Sequence, residues 1–375
     1  MKDATMCNFI RAMRNCSVVE GGPSYEGKDL RLQTVPWCAA CHSRPTKGLL
    51  CCASCRTAWY CNSTCQKAHY KSHKEICVTV ARNLNILDEQ AELLRNAEEA
   101  YFETQIGAFG RYHPTLIYMG ALKDVVKSLV RAAQASEMQC VWERAFDYTL
   151  ELQRLDVLAP LDSQALTAFI LLNLHRDDDA FDFIRSWMQT DLTGHETARE
   201  LAMRHDGIQK GEWFFPREKN SRYLNMFEVC PNVDYRSVPV AFLVVLLVIK
   251  CRLVAAYDAT CKSIDLALAT TDGQRIQEVK ELVTDMLINK KLMNIVSQRK
   301  QVVWLVNAIH GNNAIMLPAI LNPEPLLEKY SREGTQDQAA EAFFTLFYGV
   351  PCLIRIPGVE AMLEQRFGKK PFYTL

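Results

Sequence analysis

The chain has 375 residues, 49% hydrophobic and 23% charged, with 43 basic and 43 acidic side chains and no net charge. That is enough for one large domain plus a small one, with a sizeable core. Balanced charge gives no global field toward nucleic acid, and sparse Gly (16) and Pro (14) exclude collagen-like, disordered and turn-rich β classes.

Residues 1–37 read as an N-terminal extension, loosely structured, with a Gly-Gly-Pro turn at 21–23 and a short helix near 9–14. The opening residues mix charge into a short apolar pattern and predict no secretory signal. Residues 38–77 then hold eight of the 15 cysteines, where an even spread would leave fewer than two. Such density in a chain expected inside the cell predicts metal binding rather than a disulfide framework. Charge separates as well: residues 1–77 carry 11 basic and 5 acidic side chains, and the rest of the chain balances them.

From 78 to 375 the composition shifts to Leu, Ala, Val, Glu and Arg, and predicts one helical domain. Leu84, Leu87, Ala91, Leu94 and Tyr101 trace one face of a long first helix. No Gly, Pro or Ser-rich linker separates it from Cys77. A continuous or barely broken connection is therefore expected, with Ile76, Val78 and Val80 packing at the joint. Further helices are expected near 115–134, 137–156, 164–174, 178–190, 195–205, 239–257, 274–289, 295–309 and 336–348. Ser163, Asp177 and Thr335 read as residues that precede helix starts. Residues 206–239 are the main turn-rich interruption. The most apolar run, 238–249, spans 12 residues with Pro239 inside, short of a membrane span, and reads as a buried core helix. Neither β alternation nor a fixed 33–45-residue period is present, so the fold class is mainly α: an irregular all-α bundle or superhelix behind a small metal-bound segment.

The segment 38–77 contains Cys38-x2-Cys41, Cys52-x2-Cys55, Cys61-x3-Cys65 and His73-x3-Cys77. Seven thiolates and one imidazole fill two tetrahedral zinc shells. Forty residues bury too little apolar surface to fold unaided, so the metals would supply much of the folding energy. Spacing permits three ways of pairing the four pairs. Cys52 makes the tighter knuckle with Cys55, which leaves Cys51 as a small hydrophobe or spare thiol. His69, four residues from both Cys65 and His73, reads as a neighbour of the site, with substitution as a ligand the alternative. Every position is taken by protein, so the zincs read as structural and not catalytic.

These pairs, with Tyr60-Cys61-Asn62-Ser63-Thr64-Cys65-Gln66 and His73-Lys74-Glu75-Ile76-Cys77, resemble the MYND-type zinc finger. The resemblance implies two cross-braced zincs, one held by Cys38, Cys41, Cys61 and Cys65, the other by Cys52, Cys55, His73 and Cys77. It also implies a protein partner, a short and often proline-containing peptide docked beside Gln66 and Tyr70. The family usually has Trp where this chain has Tyr70. A core aromatic of the finger is the alternative reading of Tyr70, and Trp59 and Tyr60 are further aromatics of the segment. The segment's charge falls to about +2 once two zincs and seven thiolates are counted, which is thin for phosphate binding, so nucleic acid is not the expected partner. A scaffold or adaptor, in transcriptional regulation and in the cytoplasm or nucleus, is the expected role, with no membrane.

Many MYND proteins are SET-domain lysine methyltransferases, yet the Asn-His-Ser-Cys-type motif and the following cysteine triplet are absent from 78–375. P-loop, Rossmann and His-Glu-x2-His patterns are absent too. Residues 172–187, and more weakly 238–250 and 318–348, resemble a helical region that accompanies MYND fingers in mostly fungal proteins of unassigned role. Asp178, Asp179 and Asp182 spell the DDxxD of magnesium-dependent isoprenoid synthases. The alternative function is therefore a helical enzyme with magnesium there. The plainer expectation is the solvated, dipole-matched first turn of a helix.

Overall fold

The computed structural model describes residues 32–45, 48–156, 161–189, 208–230, 238–269, 293–333 and 338–375. The helices expected at 9–14, 195–205 and 274–289, and the start at Thr335, lie outside these residues. The chain divides into two compact units, one within Arg31–Leu174 and Thr190–Phe215, the other within His175–Gln189 and Pro216–Leu375.

In the first unit, β1 (Leu50–Cys51) and β2 (Trp59–Tyr60) pair antiparallel, Leu50 opposite Tyr60 and Cys51 opposite Trp59. The sequence predicts no strand, and two residues per strand are too few to show alternation. Among the described residues, five α-helices follow: α1 (Ser63–Arg95), α2 (Tyr101–Thr104), α3 (His113–Ser136), α4 (Gln139–Leu155) and α5 (Leu161–Asn173).

Helix α1 begins on Asn62, whose side chain accepts a bond from the Cys65 amide at 3.0 Å, a standard N-cap. It then runs 33 residues without interruption, so the expected joint after Cys77 is one continuous helix. His73, Val80, Leu87, Ala91 and Leu94 recur at helical spacing and are buried, and α1 packs on α3. Of the residues expected at the joint, Val80 is buried, Ile76 half-buried and Val78 exposed. Asn83 donates to the Asp124 carbonyl at 3.0 Å, a further tie between α1 and α3.

The α3–α4 connection is two residues long, which makes the helices antiparallel neighbours. Gln33 bridges to it: its amide donates to Glu137 O at 2.8 Å, and the Gln139 amide donates to Gln33 O at 2.9 Å. Phe102, Phe109 and Tyr118 cluster with ring centroids 5.3–6.1 Å apart. Gly110 packs against the Asp156 carboxylate, which would have to shift to make room for a Cβ there. Ser163, expected to precede α5, lies inside it.

The second unit comprises α6 (Asp177–Gln189), α7 (Met226–Val229), α8 (Val240–Ala269), α9 (Ile295–Asn312), α10 (Met316–Leu321), α11 (Glu324–Glu333), α12 (Gln338–Ile354) and α13 (Val359–Phe367). Helix α8 is its core: residues 240–249 are each at most 4% exposed, and α6, α9 and α12 pack against it. It begins just after Pro239, whose carbonyl accepts from the Phe242 amide. Its 30 residues correct the length argument made from the sequence, because α8 is long and apolar enough to cross a membrane. Burial supports the core reading instead: 78% of its apolar window is covered by the rest of the protein. The C-terminal tail is pinned by Tyr373, which donates to Asn322 O at 2.6 Å, while Asn322 Nδ2 donates to Pro371 O at 3.1 Å.

Candidate metal centre and the acidic turn

Each Cys-x2-Cys pair forms a tight turn. The His42 amide donates to Cys38 O at 2.7 Å, and the Arg56 amide donates to Cys52 O at 3.0 Å. Each turn exits through a left-handed residue directly after its second cysteine, His42 at φ 57° and Arg56 at φ 56°. Such backbone costs roughly 1 kcal/mol or more for a residue with a Cβ. The hairpin and the first four turns of α1 supply the remaining thiols and the imidazole.

The structure brings the eight residues into two groups. Cys38, Cys41, Cys61 and Cys65 form one, and Cys52, Cys55, His73 and Cys77 the other, with ligand atoms all within 4.8 Å of one another in each. This is the cross-braced pairing among the three that spacing allows. In the first group Cys41 and Cys61 sulfurs lie 3.6 Å apart, and Cys65 and Cys41 sulfurs 4.0 Å. In the second, Cys52 and Cys77 sulfurs are 3.6 Å apart, and Cys55 Sγ is 3.3 Å from His73 Nε2. Tetrahedral zinc with bonds of about 2.3 Å to sulfur sets sulfur edges of about 3.8 Å, so the donors already stand at the edges of two zinc shells.

Electrostatics point the same way. Burial pushes the Cys38 thiol up, but the amides of Cys41, Cys61 and Ala40 outweigh it and bring it to about 6. Burial and then contact with Cys38 and Cys41 push Cys65 to about 12. Cys77 also rises to about 12, through burial and the neighbouring Cys55 and Cys52. One thiolate in a group therefore opposes the next, and a divalent cation is the charge that lets all of them ionise. Burial, then His69, lowers His73, which favours the neutral imidazole a metal requires.

Side chains around the groups complete them. Ser43 Oγ lies 3.0 Å from Cys41 Sγ and 3.1 Å from Cys61 Sγ, and Thr57 donates to Cys55 Sγ at 3.2 Å. Arg144 of α4 donates through Nη1 to the Cys55 carbonyl. Nothing in the sequence marks Arg144, because its partner lies 89 residues away. Tyr60 is the finger's core aromatic, 1% exposed, with its hydroxyl 3.2 Å from His69 Nδ1. His69 stacks on His73 with centroids 5.7 Å apart and belongs to neither donor group. Cys51 is likewise outside both groups, and exposed. Tyr70 is 54% exposed, which replaces its reading as a core aromatic, and Gln66 lies exposed one turn before it.

Asp178 and Asp179 sit in the first turn of α6, as the dipole-matched reading expects, but their carboxylates are paired. Asp178 pairs with Arg222 at 3.0 Å and accepts the amides of Arg222 and Asn220. Asp179 pairs with Arg176 at 2.7 Å and Arg217 at 2.6 Å. Asp182 is fully buried, pairs with Arg185 at 2.8 Å and accepts the Glu218 amide at 2.6 Å. The turn is thus half-buried rather than freely solvated, and it anchors the 217–222 segment of its own unit. Among the described residues the metal-sized groups of His, Cys, Asp and Glu are the two thiol clusters, and the three aspartates do not form another. Beneath this segment Lys250 of α8 is fully buried, donates to Arg222 O at 2.8 Å and Leu224 O at 2.7 Å, and lies over the Phe181 ring at 5.0 Å.

Residues 38–77 match the family model of the MYND finger. No curated protein and no solved structure matches the chain. The protein therefore carries a MYND finger arranged for two zinc ions, a zinc-binding protein-interaction module, joined to helical units.

Proposed function

We propose that the protein is a non-enzymatic scaffold whose finger captures a short, proline-containing peptide, acting as an adaptor in transcriptional regulation in the cytoplasm or nucleus. Cys38, Cys41, Cys61 and Cys65 hold one zinc, and Cys52, Cys55, His73 and Cys77 hold the other. Both shells are closed by protein, so the ions fix shape and leave no position for substrate. The observation that carries the reading is Tyr70, a large aromatic left 54% exposed beside Gln66 on a helix whose other face is spent on ligands and core. Aromatic rings of this kind form the energetic centres of interfaces.

The test is affinity capture with the zinc-loaded full chain against Tyr70→Ala and Cys61→Ala versions. Proteins retained by the wild type and lost from both variants, with two zincs still bound to Tyr70→Ala, support capture at this face. Equal retention by wild type and Tyr70→Ala removes it.

A further inference from the structure

The first turns of α1 carry a charge pattern that helix physics does not explain. Between 63 and 82 the chain has four cations, Lys67, Lys71, Lys74 and Arg82, and a single acid, Glu75. The cations fall at 67, 71, 74 and 82, and with Tyr70 and Val78 they trace one face at helical spacing. That face is opposite the buried stripe His73–Val80–Leu87, and all six of its side chains are exposed. It extends for about 22 Å at 1.5 Å per residue.

Two features of this face work against the helix. Lys67, Lys71 and Lys74 follow one another at four- and three-residue spacing, so like charges are neighbours along the surface, which destabilises a helix. The positive end of the helix dipole favours acids, and the first turn of α1 has none. Among the described residues no carboxylate lies within ion-pair distance of Lys67, Lys71, Lys74 or Arg82. The other acids of α1 come later, at Asp88, Glu89 and Glu92, and Glu92 is taken by Arg95. A row of cations without carboxylate partners, Lys74 lying over the Tyr70 ring at 5.8 Å, interleaved with Tyr70 and Val78, is complementary to one kind of partner: an extended segment with acidic side chains around an apolar centre.

We infer that the peptide recognised at this face is acidic, its carboxylates lying along Lys67, Lys71, Lys74 and Arg82 while an apolar residue covers Tyr70 and Val78. This rests on the peptide-capture reading above and adds the chemical class of the partner. Phosphate would meet the same cations. The inference favours a peptide, because the apolar side chains sit in the middle of the stripe and the finger's own charge is small.

The experiment is a selection from displayed random dodecapeptides on the zinc-loaded full chain and, in parallel, on a Lys67→Glu/Lys71→Glu/Lys74→Glu version. The exchanged side chains are exposed, and zinc content and circular dichroism check that both proteins are folded. Expected are peptides enriched in Asp and Glu on the wild type, with that enrichment lost or reversed on the variant. The best wild-type peptide should bind the variant about tenfold more weakly, and the difference should shrink in high salt. Enriched peptides of equal acid content on both proteins overturn the acidic assignment and leave peptide capture standing. No enriched peptide on either protein overturns capture, and the assignment with it. A 20-base oligonucleotide that binds the wild type and displaces its best peptide at equal concentration would show that the stripe reads phosphate, and would also overturn it.

Discussion

Arg144 of α4 and Cys55 of the second donor group are joined by a 2.8 Å hydrogen bond from guanidinium to carbonyl. The bond places a fixed positive charge behind the knuckle that carries Cys55. A Cys3His zinc shell has a net charge of −1, so the guanidinium both holds the turn and offsets its charge.

Replacing Arg144 by Met should therefore loosen one zinc and spare the other. Partners of this kind are worth about 10–100-fold in metal affinity. Chelator competition should show one of two zincs leaving about tenfold faster, with the second unchanged. Equal loss of both zincs, or of neither, removes the role.

Zinc content separates the ligands from their neighbours. Cys52→Ala should reduce the protein from two zincs to one by elemental analysis, whereas Cys51→Ala should keep both. Equal losses would mean that the second group is built from a different cysteine.

The continuous α1 predicts that metal and helix are coupled. Removing zinc should lower hydrogen-exchange protection beyond the finger, through residues 84–95, because His73 and Cys77 lie on the same helix as Leu87, Ala91 and Leu94. Unchanged protection there would show an independent finger.

Much of this was legible in the chain. The ligand pairs are visible because a tetrahedral site needs two short-range pairs from separate places, and such pairs stand out as spacing. Helices α3, α4, α5 and α6 are visible because each is longer than three turns. Helices α2, α7, α10, α11 and α13 run from 4 to 10 residues, too few for a periodic face to show. The 238–249 run hides a different failure. In the sequence the apolar run stops at Lys250 because a lysine reads as solvent-exposed, yet this one is buried on two carbonyls and a ring. The pairing of Asp179 and Asp178 is hidden in the same way, because their arginine partners at 217 and 222 arrive from 38 and 44 residues away.

Asp182 should behave as a buried structural acid. Removing it leaves Arg185 with Glu218 alone and the Glu218 amide without an acceptor, so Asp182→Ala should cost about 2 kcal/mol in chemical denaturation. Millimolar magnesium should leave the melting temperature of the wild type unchanged. A magnesium-dependent rise in that temperature, abolished by Asp178→Asn, would revive a cation site at the turn.

Lys250 gives a pH dependence with a defined sign. Burial lowers its pKa to about 7, against about 10.5 for a free lysine. Between those values the unfolded chain binds the proton and the folded one does not, so stability rises with pH across the window and is lost as pH falls toward 7. The slope approaches about 1.4 kcal/mol per pH unit at its steepest. Lys250→Met should flatten the urea-midpoint profile between pH 7 and 10; a profile of unchanged slope would show that the lysine remains charged in the fold.

The unbroken α1 also acts as a keyed shaft. Each residue of an α-helix turns the chain by about 100°, so a single insertion between Cys77 and Val80 would swing the finger by more than a quarter turn about the axis while the buried stripe stayed seated on α3. Tyr70 and its cations would then face a different direction, with every ligand still in place. The phase between the finger and the buried stripe on α3 is thus written into the number of residues after Cys77, and a lengthened helix would keep its zincs while presenting Tyr70 to the wrong side.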